Sequence, residues 1–127
     1  MCGLAGFLGS RGYQSEWLNI LRKMGDSILH RGPDDSGEWF DVDNCIGLAH
    51  RRLSILDLSN AGHQPMQSPS GRYVVVFNGE IYNHLLLRQD LSSRHEISGW
   101  RGHSDTETLL MGFDIWGIQK TVEHVNG

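Results

Sequence analysis

The period of the hydrophobic positions changes along this chain, and the changes divide it into elements. Cys2 to Gly9 (CGLAGFLG) is a short, apolar, glycine-rich run, which predicts a buried strand. Trp17, Leu21, Met24 and Ile28 then recur at helical spacing, with Leu18 widening the stripe. Ser15 stands where an N-cap belongs and Gly32-Pro33 stop the pattern, so a helix is predicted from about Glu16 to Leu29. Ser36 to Asp41 and Cys45 to Arg52 read as two strands, joined by the turn residues Asp41-Val42-Asp43-Asn44. A loop follows through Asn60-Ala61-Gly62 and Pro65, and Ser68-Pro69-Ser70-Gly71 is a further turn signal. Tyr73 to Phe77 (YVVVF) is a continuous β-branched and aromatic run, suited to a strand buried on both faces.

The last third reads as helical. His84 to Leu91 has helical character. Ser104-Asp105-Thr106-Glu107 has the form of a capping box, and Leu109, Leu110, Phe113 and Trp116 follow on one helical face. The order β-α-β-β-β-α-α does not alternate regularly, so an α+β fold is expected rather than a parallel α/β sheet. No internal repeat, low-complexity segment or linker interrupts it. Thr121 to Gly127 closes without a capped helix or a final strand, and the visible strands are few. The chain is therefore expected to be part of a longer one.

Composition narrows the partners. A length of 127 residues suggests one domain with one core. No stretch approaches a membrane span, and Met1 to Gly9 lack the basic start and long apolar run of a signal peptide. A cytoplasmic protein with no membrane partner is the expectation. Lys plus Arg total 11 against 15 Asp plus Glu, a net charge of −4, which argues against nucleic acid as a partner. The 2 cysteines cannot make a disulfide framework. The 7 histidines include no i, i+4 pair on a convincing helix, and no Cys-x-x-Cys occurs, so no dedicated metal site is expected.

Four places carry candidate chemistry, each with a plainer alternative. Cys2 is either a small buried apolar residue or, once Met1 is trimmed, a terminal nucleophile. In the second case its own α-amine, titrating near ~7.7–8.0, serves as the base for its thiol. His50-Arg51-Arg52 is either a strand end with two solvated arginines or a bidentate grip on a carboxylate. Asn78-Gly79 after an apolar run is either a turn or an oxyanion hole, made from an Asn amide and a backbone N–H. Asp105, in the first turn of a helix, either favours the helix dipole or pairs with a ligand ammonium.

Taken together, these residues resemble a known family. Met1-Cys2-Gly3-Leu4-Ala5-Gly6 is followed in order by His30-Arg31-Gly32-Pro33-Asp34 and by Leu48-Ala49-His50-Arg51-Arg52-Leu53-Ser54-Ile55. Gly62-His63-Gln64-Pro65-Met66, Phe77-Asn78-Gly79-Glu80-Ile81-Tyr82-Asn83 and Ser104-Asp105-Thr106-Glu107 complete the series. Each run is weak alone; the ordered set resembles the class II, N-terminal-nucleophile glutamine amidotransferases over nearly the whole chain. Arg52-Leu53-Ser54-Ile55 and Phe77-Asn78-Gly79-Glu80 resemble the asparagine synthetase (glutamine-hydrolysing) branch. Ser104, where many relatives have Gly, and Arg51, where many have Glu, depart from the pattern.

The resemblance implies that Cys2 attacks the glutamine side-chain amide, with Asn78 and Gly79 as the oxyanion hole. It implies that Arg52 holds the α-carboxylate, Asp105 takes the α-ammonium, and backbone around Ile55, Leu56 and Glu80 seats the amino acid. It assigns Arg51 no role. The implied fold is a four-layer α-β-β-α sandwich of antiparallel sheets, incomplete here at its C-terminal side. Residues 1–127 would be the N-terminal part of the glutaminase domain, using no cofactor of its own. An ATP-dependent synthetase domain, absent from this chain and using ATP and Mg, would receive the ammonia, with asparagine as the first product expected. Alternatives are a non-catalytic glutamine-binding module, a sugar or natural-product amidating relative, and a terminal-nucleophile hydrolase of another amide. An uncovered sheet face and open strand edge would favour self-association into a homo-oligomer.

Overall fold

The computed structural model describes residues 1–9, 15–54, 60–95, 97 and 99–127. Among them are antiparallel strands and four α-helices, an α+β chain. The chain divides into two compact units, one of Met1–Ile55, His63–Pro65 and Val76–Asn78, the other of Leu56–Gly62, Met66–Val75 and Gly79–Gly127.

In the first unit, β1 (Gly3–Leu8), β2 (Asp35–Asp41) and β3 (Ile46–Arg52) form an antiparallel sheet in the order β1-β3-β2. The register sets Phe7 opposite Gly47 and Gly47 opposite Phe40, so all three share a face. Helix α1 (Trp17–Ser27) covers that face. Trp17 meets Phe7 edge-on, with ring centroids 5.5 Å apart, a favoured aromatic geometry. Leu21 is fully buried, which contributes on the order of 1.5–3 kcal/mol. A Cβ on Gly47 would lie 2.8 Å from the Phe7 ring and 3.3 Å from Leu21, so only glycine lets helix and sheet close.

Several expectations need correction here. β1 is not a buried strand: among the described residues only β3 pairs with it, and Leu4 and Leu8 are 48% and 76% exposed. Strand alternation turns these leucines to the face opposite α1, so only every second residue is covered. Ser15 does not cap α1; Glu16 occupies the cap position and no side chain bonds there. The apolar stripe against the sheet holds this helix in place, and a 3-10 turn, Leu29–Arg31, follows it. β3 starts at Ile46 because Cys45 takes a positive φ of 54° in the preceding turn. In that turn the Asp41 carboxylate accepts from the backbone and side-chain amides of Asn44 at 3.0 and 2.8 Å.

In the second unit the YVVVF run is not a long strand buried on both faces. Only Val74–Val75 (β5) enters a ladder, opposite Met66–Gln67 (β4), and both valines are half-buried. The turn before it is tight, with Tyr73 N–H donating to Ser68 Oγ at 3.2 Å, and Val76–Asn78 belong to the first unit. Helix α2 spans His84–Arg94, running past Leu91, and α3 spans Asp105–Trp116. Ser104 Oγ accepts the Glu107 N–H at 3.2 Å, the N-cap that the sequence predicts. Gly117, at a φ of 84°, separates α3 from α4 (Ile118–His124), a helix where none was expected. Thr121 of α4 is buried beside Gly112, whose absent Cβ would come within 2.6 Å of its methyl group.

Candidate functional site

The compact units divide the candidate residues. Cys2, Arg52 and Asn78 lie in the first unit, and Gly79, Glu80 and Asp105 in the second. Ile55 and Leu56 lie outside the described residues.

In the first unit, β1–β3 pairing sets Gly3 opposite Arg51, which brings Cys2 to the end of β3. The Leu53 N–H points at Cys2 Sγ from 3.3 Å, and the Leu53 carbonyl is 3.7 Å away. Arg51 and Arg52, next to each other in sequence, face opposite ways. Arg51 is on the α1 face, where its Nε donates to the Gly25 carbonyl at 3.1 Å and its guanidinium pairs with Asp26. Arg52 is buried on the other face, opposite Asp35 in the register. The His30-Arg31-Gly32-Pro33-Asp34 run shapes this same end. Asp34 N–H donates to the Arg52 carbonyl at 3.0 Å, and its carboxylate accepts from Ser54 N–H at 2.8 Å. A Cβ on Gly32 would fall 2.5 Å from the Arg51 carbonyl oxygen, so the approach requires glycine.

Sequence reasoning missed three neighbours in the first unit. The His63 ring lies 2.8 Å from the Asp35 carboxylate. Gln64 Oε1 accepts the Phe77 N–H at 2.6 Å, fixing the residue before Asn78. His50 is 1% exposed, and neither ring nitrogen has a hydrogen-bond partner among the described residues. Burial holds its pKa below the ordinary histidine value; Arg52 and His63 act the same way, while the Phe77 backbone and Asp35 oppose them. The available signal was the presence of His50, His63 and Gln64 inside the recognised motifs. Their partners are far away in sequence, so no local pattern reveals them. Asn78 itself is exposed.

In the second unit, Asp105 opens α3 and is buried. One carboxylate oxygen accepts the Ile81 N–H at 2.9 Å, and the other accepts the Thr106 N–H at 2.8 Å. This holds Asp105 beside the segment that carries Gly79 and Glu80, both of them exposed. Glu107 does more than a capping box asks. It accepts the N–H groups of Arg101 and Gly102 at 2.6 and 3.0 Å and pairs with Arg88 at 3.1 Å. Among the described residues, no three His, Cys, Asp or Glu side chains gather as a metal site would require. No helix among them is long and apolar enough to cross a membrane.

Comparison with known proteins gives one consistent result. A family model described as a glutamine amidotransferase domain matches residues 1–127. Asparagine synthetase [glutamine-hydrolyzing] 2 of Bacillus subtilis is 41% identical over 120 residues, 93% of this chain and 15% of that protein. Asparagine synthetase [glutamine-hydrolyzing] 3 of the same organism is 34% identical over 130 residues, 100% of this chain and 20% of the relative. Amidase chry2 of Gibberella zeae is also 34% identical, over 136 residues, again 100% of this chain and 20% of the relative. The chain thus spans a fifth or less of the length of these relatives.

Proposed function

Because the chain belongs to the glutamine amidotransferase domain family, we propose that it hydrolyses the side-chain amide of glutamine through a thioester on Cys2. With Met1 removed, the α-amine of Cys2 takes the thiol proton, and the thiolate attacks the amide carbon. Asn78 and Gly79 donate to the oxyanion; losing one such donor typically costs about 10²–10³ in rate. The C–N bond breaks as the amine returns its proton to the leaving ammonia. Water then cleaves the thioester to glutamate and regenerates the thiol. Arg52 pairs with the α-carboxylate and Asp105 with the α-ammonium, which selects a free amino acid over a peptide. Ile55, Leu56 and Glu80 contribute backbone around the bound substrate.

The observation that carries this reading is the pairing of β1 with β3. It sets the thiol of Cys2 against Leu53 at the strand end where Arg52 sits, on the face opposite the Arg51–Asp26 pair. The wider reading rests on the relatives' names. The ammonia would pass to a separate ATP- and Mg-dependent synthetase domain, with aspartate as first acceptor, and the glutaminase domain itself would be a four-layer α-β-β-α sandwich. The similarity to a relative named an amidase keeps hydrolysis of another amide as the second reading. Self-association through the open edge of β1 and a cytoplasmic location are part of the same proposal.

The test is release of ammonia and glutamate from glutamine by the chain with Met1 removed. Cys2→Ala is expected to abolish release while leaving glutamine binding within about threefold, since the charged ends of the ligand supply most of its grip. Ammonia release that survives in the variant would refute the assignment. Binding without turnover in the unmodified chain would favour a glutamine-binding module.

A further inference from the structure

The capping-box residue Glu107 has a partner that no local pattern announces. Arg88, on α2, aims its guanidinium at the start of α3. Its Nε donates to Thr108 Oγ1 at 2.8 Å, and one terminal nitrogen donates to the Gly102 carbonyl at 2.7 Å. The other terminal nitrogen donates to the Ser104 carbonyl at 2.9 Å and to Glu107 Oε2 at 3.1 Å. The Trp100 ring lies over the guanidinium carbon at 4.1 Å. Both side chains are nearly out of water, at 11% and 3% exposure. With both partners held this tightly, the pair has essentially one geometry.

The clamp holds the chain on both sides of Asp105. Ser104 precedes Asp105, and Glu107 and Thr108 follow it within the first turn of α3. The bonds from Ile81 and Thr106 occupy part of the Asp105 carboxylate. A carboxylate offers about four lone-pair sites, so a further donor is accepted in directions that the orientation of this turn decides. A Ser104 cap alone would start the helix. The additional grip on Gly102, Ser104, Glu107 and Thr108 fixes how the turn is rotated.

We propose that Arg88 and Glu107 are positioning residues: their buried ion pair aims the Asp105 carboxylate at the α-ammonium of the bound amino acid. The proposal deepens the glutamine reading above and rests on it. Lysine at position 88 keeps the charge but not the planar fork that serves four acceptors at once. Glutamine at position 107 keeps the shape but has one acceptor oxygen, so either Arg101 or Gly102 loses its acceptor.

The experiment measures calorimetric affinity for L-glutamine and for its analogue without the α-amine, 4-carbamoylbutanoate, in a Cys2→Ala background that stops turnover. The parent is expected to favour glutamine by about tenfold or more, as a charge-assisted contact should. Arg88→Lys and Glu107→Gln are each expected to bring the preference within about threefold, by weakening glutamine and sparing the analogue. Loss of folded protein alone lowers both affinities by one factor and leaves their ratio unchanged. An unchanged ratio in both variants overturns the positioning role while leaving the glutamine reading intact. A parent that binds glutamine no better than the analogue overturns the Asp105 assignment, and the clamp's role with it.

Discussion

Two adjacent arginines show how much a single position decides. Arg51 is already occupied, by the Gly25 carbonyl and by an Asp26 carboxylate whose side chain is 69% exposed. Such a pair contributes about 0–1 kcal/mol to stability and leaves little for a ligand. Arg52 is buried on the other face, at the strand end beside Cys2. Arg52→Lys is therefore expected to weaken glutamine binding by about tenfold or more, since lysine lacks the two-pronged geometry for a carboxylate. Arg51→Lys should change it by less than about twofold on the same grounds. Isothermal calorimetry on both variants in the Cys2→Ala background tests the contrast. Equal losses at the two positions would mean that the carboxylate is held elsewhere.

β3 is the element on which this geometry depends. Its alternation sends Ala49 and Arg51 toward α1, and His50 and Arg52 toward the opposite face. His63–Pro65 and Val76–Asn78 join the same compact unit. His50 is buried there, and its pKa is lowered chiefly by that burial. The unfolded chain takes up this proton near pH ~6.5, whereas the folded chain takes it up only at lower pH. The stabilisation from neutral His50 is therefore complete above about pH 6.5 and is lost as pH falls toward the lowered value. Urea midpoints are expected to fall between about pH 7 and 5, and His50→Gln should flatten that part of the profile. Asp41 acts elsewhere. Its carboxyl is held below the ordinary range by its side-chain and backbone bonds from Asn44, so its contribution is lost only as pH falls below about 4. A slope through pH 6 that is identical in the His50 variant would assign the effect to another group.

At the scale of the whole molecule, the exposed surface of β1 is the feature with consequences. This strand has one hydrogen-bonded neighbour among the described residues, and Leu4 and Leu8 stand exposed on the face away from α1. An unpaired edge carrying apolar side chains is a template for another strand. The 127-residue chain is expected to self-associate with rising concentration in sedimentation velocity. Leu4→Lys with Leu8→Lys should shift it toward monomer, because charge on an edge strand opposes pairing. Both positions lie on the face opposite the α1–sheet core, so the melting temperature should change by only a few degrees. A wild-type chain that stays monomeric at high concentration would show that this edge is protected.

What the sequence alone determined is local. The stripe of α1, the Ser104 cap of α3, the turn at Asp41–Asn44 and the strand character of β2 and β3 each lie within a few residues of chain. The ordered motifs were equally legible, because a family pattern is written in residue identity. The tertiary structure decided which side of each element is covered. Cys2 meets Leu53 across 51 positions, Arg51 meets Gly25 across 26, and Arg88 meets Glu107 across 19. No periodicity reports such pairings. The YVVVF run illustrates the limit: its residues suit a strand throughout, yet only Val74–Val75 enters a ladder because the chain moves to the other unit at Val76. Glu107 is the counterpart, a local capping signal whose buried carboxylate was completed by an arginine from a different helix. Propensity and capping are energies of neighbours in sequence, whereas burial and ion pairing are energies of neighbours in space, which exist only once the chain has folded.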